Sequence, residues 1–156
     1  SGRVVLAGNH TSNFDAPLLI SATKRNVHFL AKKELWDGPK KIIFANMGLI
    51  PVDRKNKDGN ALIMAERYLK NEKLIGIFPE GTTEKTGEML KFKKGTVKMA
   101  VDTDSPIVPF VITGKYKLFS KDLMIKFLEP IKCNGDIKEE TERLMNIIKK
   151  ERENLR

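Results

Sequence analysis

Short apolar segments with strand character alternate with helix-like segments along this 156-residue chain, and this alternation restricts its fold more than any other feature. The strand candidates are rich in branched and aromatic residues, whereas the helix candidates repeat apolar residues every three or four positions or carry proline in the first turn. Such alternation predicts one α/β domain over residues 1–156, with a mixed, largely parallel sheet flanked by helices. The predicted strands are residues 4–7, 27–31, 74–78, 107–113 and 123–128, with a turn-to-strand piece at 48–54, and the predicted helices are residues 15–23, 39–46, 60–71, 96–102 and 136–155.

The last predicted helix has one apolar stripe, formed by Ile137, Leu144, Ile148 and Leu155, between positions that are mostly charged. A stripe of this kind usually faces a protein core, and it can also lie on a membrane surface. We expect this helix to cover the core.

Composition narrows the classes of partner and of chemistry. The chain has 29 Lys and Arg against 20 Asp and Glu, a formal net charge of +9, which favours an anionic partner unless the lysines only solvate the surface. Aromatic residues make up 7% and no nucleic-acid recognition motif is visible, so we expect no nucleic-acid partner. With one cysteine, Cys133, and two histidines, the chain has no intrachain disulfide and no evident metal-ligand spacing.

The segment Asn-His-Thr-Ser-Asn-Phe-Asp at residues 9–15 holds one of the two histidines and a carboxylate five residues later. A neutral imidazole can take a proton from a hydroxyl, and a carboxylate can fix its tautomer and stabilise the imidazolium that forms. His10 and Asp15 cannot share one face of a continuous helix, because five residues rotate them far apart around the axis. The pair therefore predicts a strand-to-helix turn that folds Asp15 back onto the imidazole, and a structural histidine beside a helix cap is the alternative.

A second polar motif, Phe-Pro-Glu-Gly-Thr at residues 78–82, follows a predicted strand. Proline ends the strand there, Gly81 permits a turn, and Glu80 comes to the carboxyl edge of the sheet, where ligands of α/β proteins commonly bind. Arg54, at the end of Ile-Pro-Val-Asp-Arg, could clamp a phosphate or pair with an acid on the surface. The other histidine, His28, lies within a predicted strand with no acid at a matching spacing, and we expect it to be structural.

These motifs, followed by Ile-Val-Pro-Phe at residues 107–110, stand in an order that resembles the glycerolipid acyltransferase family. The best-known members of that family are the 1-acyl-sn-glycerol-3-phosphate (lysophosphatidic acid) acyltransferases. The resemblance extends from about residue 4 to about residue 127 and includes connecting segments such as Phe-Lys-Lys-Gly-Thr at 92–96. It implies an acyltransferase that moves a fatty acyl group from acyl-CoA or acyl-carrier protein to the free hydroxyl of a lysophospholipid, most simply 1-acyl-sn-glycerol-3-phosphate, which becomes phosphatidic acid.

The resemblance also implies roles for individual residues. His10 would be the general base and Asp15 its orienting carboxylate, so the attacking nucleophile is the acceptor's own hydroxyl, and no cofactor or metal is needed. The acceptor would be bound by Arg54, Glu80, Gly81 and Thr82, and the donor or acyl region would be shaped by Ile107, Val108 and Pro109.

Two departures from the family bear on the acceptor and on the membrane. The family often has arginine after Phe-Pro-Glu-Gly-Thr, where this chain has Thr83, so Lys85, Lys91, Lys93 or Lys94 would have to supply the charge, or the acceptor has a different head group. Family members also usually carry an apolar or amphipathic segment before the histidine motif, and only nine residues precede His10. We expect that this segment is missing from the chain and that the protein works at an anionic membrane surface, on its cytoplasmic face. A basic binding module and a thioesterase-like hydrolase are the alternatives.

Overall fold

The computed structural model describes residues 2–32, 48–52, 60–83, 86–116 and 122–155. The predicted helix 39–46 and Arg54 lie outside these ranges. Within them, six strands and four helices follow one another in the predicted alternating order. The strands are β1 (Val4–Gly8), β2 (Val27–Lys32), β3 (Ile50–Val52), β4 (Leu74–Ile77), β5 (Ile107–Thr113) and β6 (Met124–Phe127), and the helices are α1 (Asp15–Ser21), α2 (Asn60–Lys70), α3 (Gly95–Asp102) and α4 (Ile137–Asn154).

The six strands form one sheet in the order β3-β2-β4-β1-β5-β6. Every neighbouring pair from β3 to β5 is parallel, and β6 pairs with β5 antiparallel. The prediction of a mixed, largely parallel sheet is therefore confirmed. Strand β1 lies near the centre because its residues are apolar on both faces, which suits a strand covered by helices on each side.

Helices cover both faces of the sheet. On one face, Val5 and Ala7 of β1 belong to a buried cluster with Leu69 of α2, Met99 of α3 and Leu144 of α4. On the other face, Leu6 belongs to a second cluster with Leu19 of α1, Phe29 of β2 and Phe110 of β5. The alternation of β1 side chains between these clusters follows from the two-residue period of a strand.

Helix α4 covers the core as predicted. It begins after Asp136, whose carboxylate accepts hydrogen bonds from the backbone N–H groups of Lys138 (2.8 Å) and Glu139 (3.1 Å) and so caps the helix. Leu144 and Ile148 are fully buried against the sheet. None of the helices in the ranges above is long and apolar enough to cross a membrane.

Parallel pairing brings the carboxyl ends of three strands to one edge of the sheet. In the register, Ala7 of β1 lies opposite Ile77 of β4, and Gly8 lies opposite Phe110 of β5. Gly8 permits a close approach there, since a Cβ at that position would come within 2.3 Å of the Phe110 ring. The segments that follow β1, β4 and β5 therefore meet at this edge, where the polar motifs lie.

Candidate active site

Asp15 is the first residue of α1 and is fully buried, and its two carboxylate oxygens are surrounded by donors. Oδ2 accepts hydrogen bonds from the backbone N–H groups of Thr11 (2.6 Å) and Ser12 (2.8 Å), which fold the turn back onto the carboxylate. Oδ1 accepts from the hydroxyl of Tyr116 at 2.5 Å and from that of Thr11 at 3.3 Å. The turn predicted between His10 and Asp15 is thus present.

His10 lies against this carboxylate, with 2.9 Å between its Nδ1 and Oδ2 of Asp15. Because an ionised carboxylate only accepts hydrogen bonds, Nδ1 carries the proton and Nε2 keeps its lone pair. The imidazole stacks on Phe78, with 4.2 Å between ring centroids and 13° between planes. The His10 side chain is 18% exposed, so the imidazole is fixed by its contacts and still reaches solvent.

The pKa of Asp15 reflects its surroundings. Burial by itself raises the pKa of this carboxyl, but the hydrogen bonds from His10, Tyr116, Ser12 and Thr11 outweigh burial and bring the pKa below its ordinary value. Asp15 therefore stays ionised at neutral pH. The pKa of the Tyr116 phenol is raised, first by burial and then by its hydrogen bond to this carboxylate, so Tyr116 remains a donor.

Glu80 supports the backbone on both sides of the site. It is 4% exposed, its Oε1 accepts a hydrogen bond from the His10 backbone N–H at 2.8 Å, and its Oε2 accepts from the Leu90 N–H at 2.7 Å. These contacts place Glu80 beneath the His10 turn, where it positions the base. An acceptor-binding role for Glu80 remains a prediction.

Gly81 and Thr82 continue from Glu80 toward solvent. Gly81 has a φ of +73°, a conformation that glycine adopts without strain, and its N–H closes a turn onto the Phe78 carbonyl at 3.0 Å. Thr82 is exposed beside it. Thr83 then returns to the site, with its hydroxyl 3.4 Å from Nε2 of His10. The structure thus places a hydroxyl, rather than a cation, next to Nε2 of His10.

The predicted acyl or donor residues lie further from the base. Ile107 and Pro109 are buried in β5, and Val108 is half-buried. The register sets Ile107 opposite Val5 and Pro109 opposite Ala7, within the paired length of β1 and before the turn that carries His10. None of the described contacts of His10 is with these three residues, and their role remains a prediction.

Three residues were not singled out from the sequence for the contacts that they make at the site: Tyr116, Phe78 and Asn9. Asn9 is 1% exposed and joins the end of β1 to β5, since its side-chain amide donates to the Ile112 carbonyl (2.9 Å) and accepts from the Ile112 N–H (2.8 Å). Phe78 packs on His10, and the ring centroids of Phe29 and Phe110 lie 5.8 and 6.0 Å from the centroid of Phe78. Phe78 and Asn9 lie within the two sequence motifs, and this position could have identified them as site residues. No local pattern marks Tyr116.

Metal ligation has no support in the part of the chain described: no three His, Cys, Asp or Glu side chains there are grouped to hold an ion. The site instead offers a base, its orienting carboxylate and a neighbouring hydroxyl. This combination suits proton removal from an alcohol.

Comparison with known proteins identifies the family. The sequence matches the family described as Acyltransferase over residues 1–113, and the chain belongs to this family. A 1-acyl-sn-glycerol-3-phosphate acyltransferase from Cocos nucifera is 31% identical over 147 residues, 85% of this chain and 47% of the relative. One from Borreliella burgdorferi is 32% identical over 124 residues, 78% of this chain and 50% of the relative.

A solved structure supports the same assignment. The crystal structure of the 1-acyl-sn-glycerophosphate (LPA) acyltransferase PlsC from Thermotoga maritima matches with a TM-score of 0.82 at 28% identity, covering 99% of this chain and 66% of that one. The predicted fold class and the family resemblance are therefore confirmed. The chain spans about half the length of the two sequence relatives.

Proposed function

We propose that this protein transfers a fatty acyl group from a thioester donor to the free hydroxyl of 1-acyl-sn-glycerol-3-phosphate and so forms phosphatidic acid. One observation carries the proposal: the Nδ1 of His10 is bonded to buried Asp15, which leaves Nε2 with a lone pair beside a hydroxyl. The names of the relatives support the choice of acceptor, since each is a 1-acyl-sn-glycerol-3-phosphate acyltransferase.

The reaction follows from this geometry. Nε2 of His10 takes the proton of the acceptor hydroxyl as its oxygen attacks the thioester carbonyl, and the new C–O bond gives a tetrahedral oxyanion. Asp15 stabilises the imidazolium that forms and keeps the ring oriented. The C–S bond then breaks, and the leaving thiolate takes the proton back from Nε2. The protein supplies no covalent nucleophile, and the reaction consumes no cofactor.

The binding partners of this reaction are part of the proposal. Acyl-CoA or acyl-carrier protein is the donor, and the residues proposed to contact the acceptor are Arg54, Glu80, Gly81 and Thr82. The net charge of +9 suits an anionic membrane surface, and we place the protein at the cytoplasmic face of the membrane.

An assay of the purified protein with acyl-CoA or acyl-carrier protein against a panel of lysophospholipids tests the proposal. We expect phosphatidic acid from lysophosphatidic acid, and roughly 10⁴-fold slower formation by a His10→Ala variant that keeps the parent's circular dichroism spectrum. Free fatty acid as the main product would instead identify a thioesterase-like hydrolase. No thioester consumption with any acceptor would reject acyl transfer altogether.

A different lysophospholipid is the second candidate acceptor, because Thr83 stands where the family often carries arginine. A head group on the phosphate lowers its charge and its demand for a cation. Preferential acylation of such a lipid in the same panel would favour this candidate over lysophosphatidic acid.

A further inference from the structure

The acceptor proposed above brings a phosphate close to the base. In 1-acyl-sn-glycerol-3-phosphate, one CH₂ group and one ester oxygen separate the carbon that bears the reacting hydroxyl from the phosphorus. A cation that binds this phosphate must therefore lie near Nε2 of His10. Position 83 does not provide that cation, since Thr83 presents a hydroxyl to Nε2 at 3.4 Å.

Lys93 places an ammonium group against the turn that leads from Glu80 to Thr83. The Nζ atom lies over Gly81, where a Cβ would come within 2.4 Å of it, and the Cε and Cδ atoms follow at 2.8 and 3.2 Å. The lysine side chain thus lies across the glycine turn that separates Glu80 from Thr83. Its ammonium is adjacent to the segment that contacts the base.

The backbone holds Lys93 in register with the site. Its N–H donates to the Pro79 carbonyl at 2.9 Å, and three residues earlier the Leu90 N–H donates to Glu80. Between these two bonds, Phe92 is 5% exposed and packs in the core. Because Glu80 also holds the His10 backbone, the segment carrying Lys93 and the base share one anchor.

Lys93 is exposed. Among the described residues, no carboxylate forms an ion pair with its ammonium. Lys98, one turn into α3, differs because its ammonium is engaged by Asp102. Both Glu80 oxygens accept backbone N–H bonds. A charge that lies beside this turn, with no carboxylate of the described residues paired to it, is suited to an anion.

We propose that Lys93 binds the phosphate of the lysophospholipid acceptor and replaces the cation that position 83 lacks. This inference rests on the proposed function for the identity of the ligand. A lysine suits the task because its three donors rotate on a flexible stem, so it accepts a phosphate without the fixed geometry that a guanidinium requires.

Binding of two short-chain probes tests the assignment without relying on turnover. The probes are 1-hexanoyl-sn-glycerol-3-phosphate and 1-hexanoyl-sn-glycerol, which lacks the phosphate, and their dissociation constants are measured by calorimetry. Lys93→Met keeps the apolar stem and removes the charge, so we expect about tenfold weaker binding of the phosphate probe. Binding of the phosphate-free probe should not change. Lys93→Arg should bind the phosphate probe within about threefold of the parent.

Lys73→Met is the matched control, because Lys73 is an exposed lysine just before β4, at the opposite end of the strand that leads to Glu80. Its affinity for both probes should equal the parent's. The assignment is overturned if the parent does not bind the phosphate probe, or if Lys93→Met binds it as tightly as the parent. The assignment is also overturned if Lys93→Met weakens the binding of both probes equally. The same holds if Lys73→Met or Lys93→Arg loses as much affinity for the phosphate probe as Lys93→Met does. A parent that binds the probe but forms no phosphatidic acid would refute the proposed function and leave the Lys93 assignment standing.

Discussion

His10 follows the end of β1 and His28 lies within β2 of the same sheet, and each has Nδ1 bonded to an oxygen. His10 Nδ1 lies 2.9 Å from Oδ2 of Asp15, whereas His28 Nδ1 lies 3.0 Å from the Gly48 carbonyl oxygen. Both oxygens are acceptors, so both rings carry the proton on Nδ1 and share one tautomer. The ring of His28 also has Tyr68 at 4.9 Å, inclined by 60°.

What differs is the charge behind the ring. The Gly48 carbonyl is neutral and orients His28 without stabilising an imidazolium, so His28 ties the start of β3 to β2. Asp15 is a buried anion and does both for His10. We propose that this charge, and not the tautomer, makes His10 the general base. The following predictions test it, beginning with the largest effect.

Replacement of His10 by alanine removes the base itself. We expect kcat/KM for acyl transfer to fall roughly 10⁴-fold, at the upper end of what a general base contributes. Steady-state kinetics measures the loss, and circular dichroism confirms that the variant is folded. A folded variant within tenfold of the parent would show that another group takes the proton.

Replacement of Asp15 by asparagine gives His10 a neutral oxygen partner, as His28 already has. We expect kcat to fall roughly 10²- to 10³-fold, because the imidazolium loses its counter-charge. Single-turnover kinetics separates this loss from product release. If kcat stayed at the parent value, the charge behind the ring would not be what distinguishes the two histidines.

The same variant changes the acid sensitivity of the fold. The pKa of Asp15 is lowered from 3.8 in the folded protein, so its ionised form stabilises the fold above pH 3.8. This stabilisation is lost as the pH falls through the lower pKa of the folded state. The difference in unfolding free energy between parent and Asp15→Asn should therefore shrink below about pH 4. Urea unfolding between pH 7 and 3 measures this difference in free energy. A difference that stays constant over this range would contradict the lowered pKa of Asp15.

Replacement of Tyr116 by phenylalanine removes one donor from Asp15 and leaves the ring contact with Phe14, 5.9 Å between centroids. Because the Tyr116 hydroxyl is one of the donors that lower the pKa of Asp15, its loss should bring that pKa closer to its ordinary value. We expect a fall in kcat of about fivefold from looser orientation. NMR titration of the Asp15 carboxyl measures this change, and a fall in kcat with an unchanged pKa of Asp15 would mean that Tyr116 does not act through Asp15.

Replacement of His28 by alanine should have the smallest effect on turnover. We expect kcat within about twofold of the parent and an unfolding free energy lower by about 1 kcal/mol, the usual net contribution of one hydrogen bond. Asparagine at this position can still donate to the Gly48 carbonyl and should recover part of the stability. A large loss of kcat in a folded His28→Ala variant would give this histidine a role in the reaction.

Much of the fold followed from local patterns. The strand at Ile107–Thr113 was predicted with the observed bounds, and β4 ended one residue before the predicted position. Helix α1 ended at Ser21, two residues before the prediction, where the chain turns toward β2. Such ends depend on which neighbours complete the last hydrogen bonds, and periodicity carries no information about them.

The site divides in the same way. The contact between His10 and Asp15 spans five residues and closes through the N–H groups of Thr11 and Ser12, so it could be predicted from the sequence. The contacts of His10 with Glu80 and of Asp15 with Tyr116 span 70 and 101 residues. No local pattern reports which distant loop closes on which strand.

The sequence by itself determined an α/β chain with a base and its orienting carboxylate in one turn, because both depend on short-range periodicity and hydrogen bonding. Only the tertiary structure placed Tyr116 behind Asp15, Thr83 at Nε2 and the Lys93 ammonium over Gly81. The physical reason is the sheet: parallel pairing of β1 between β4 and β5 carries three distant loops to one edge.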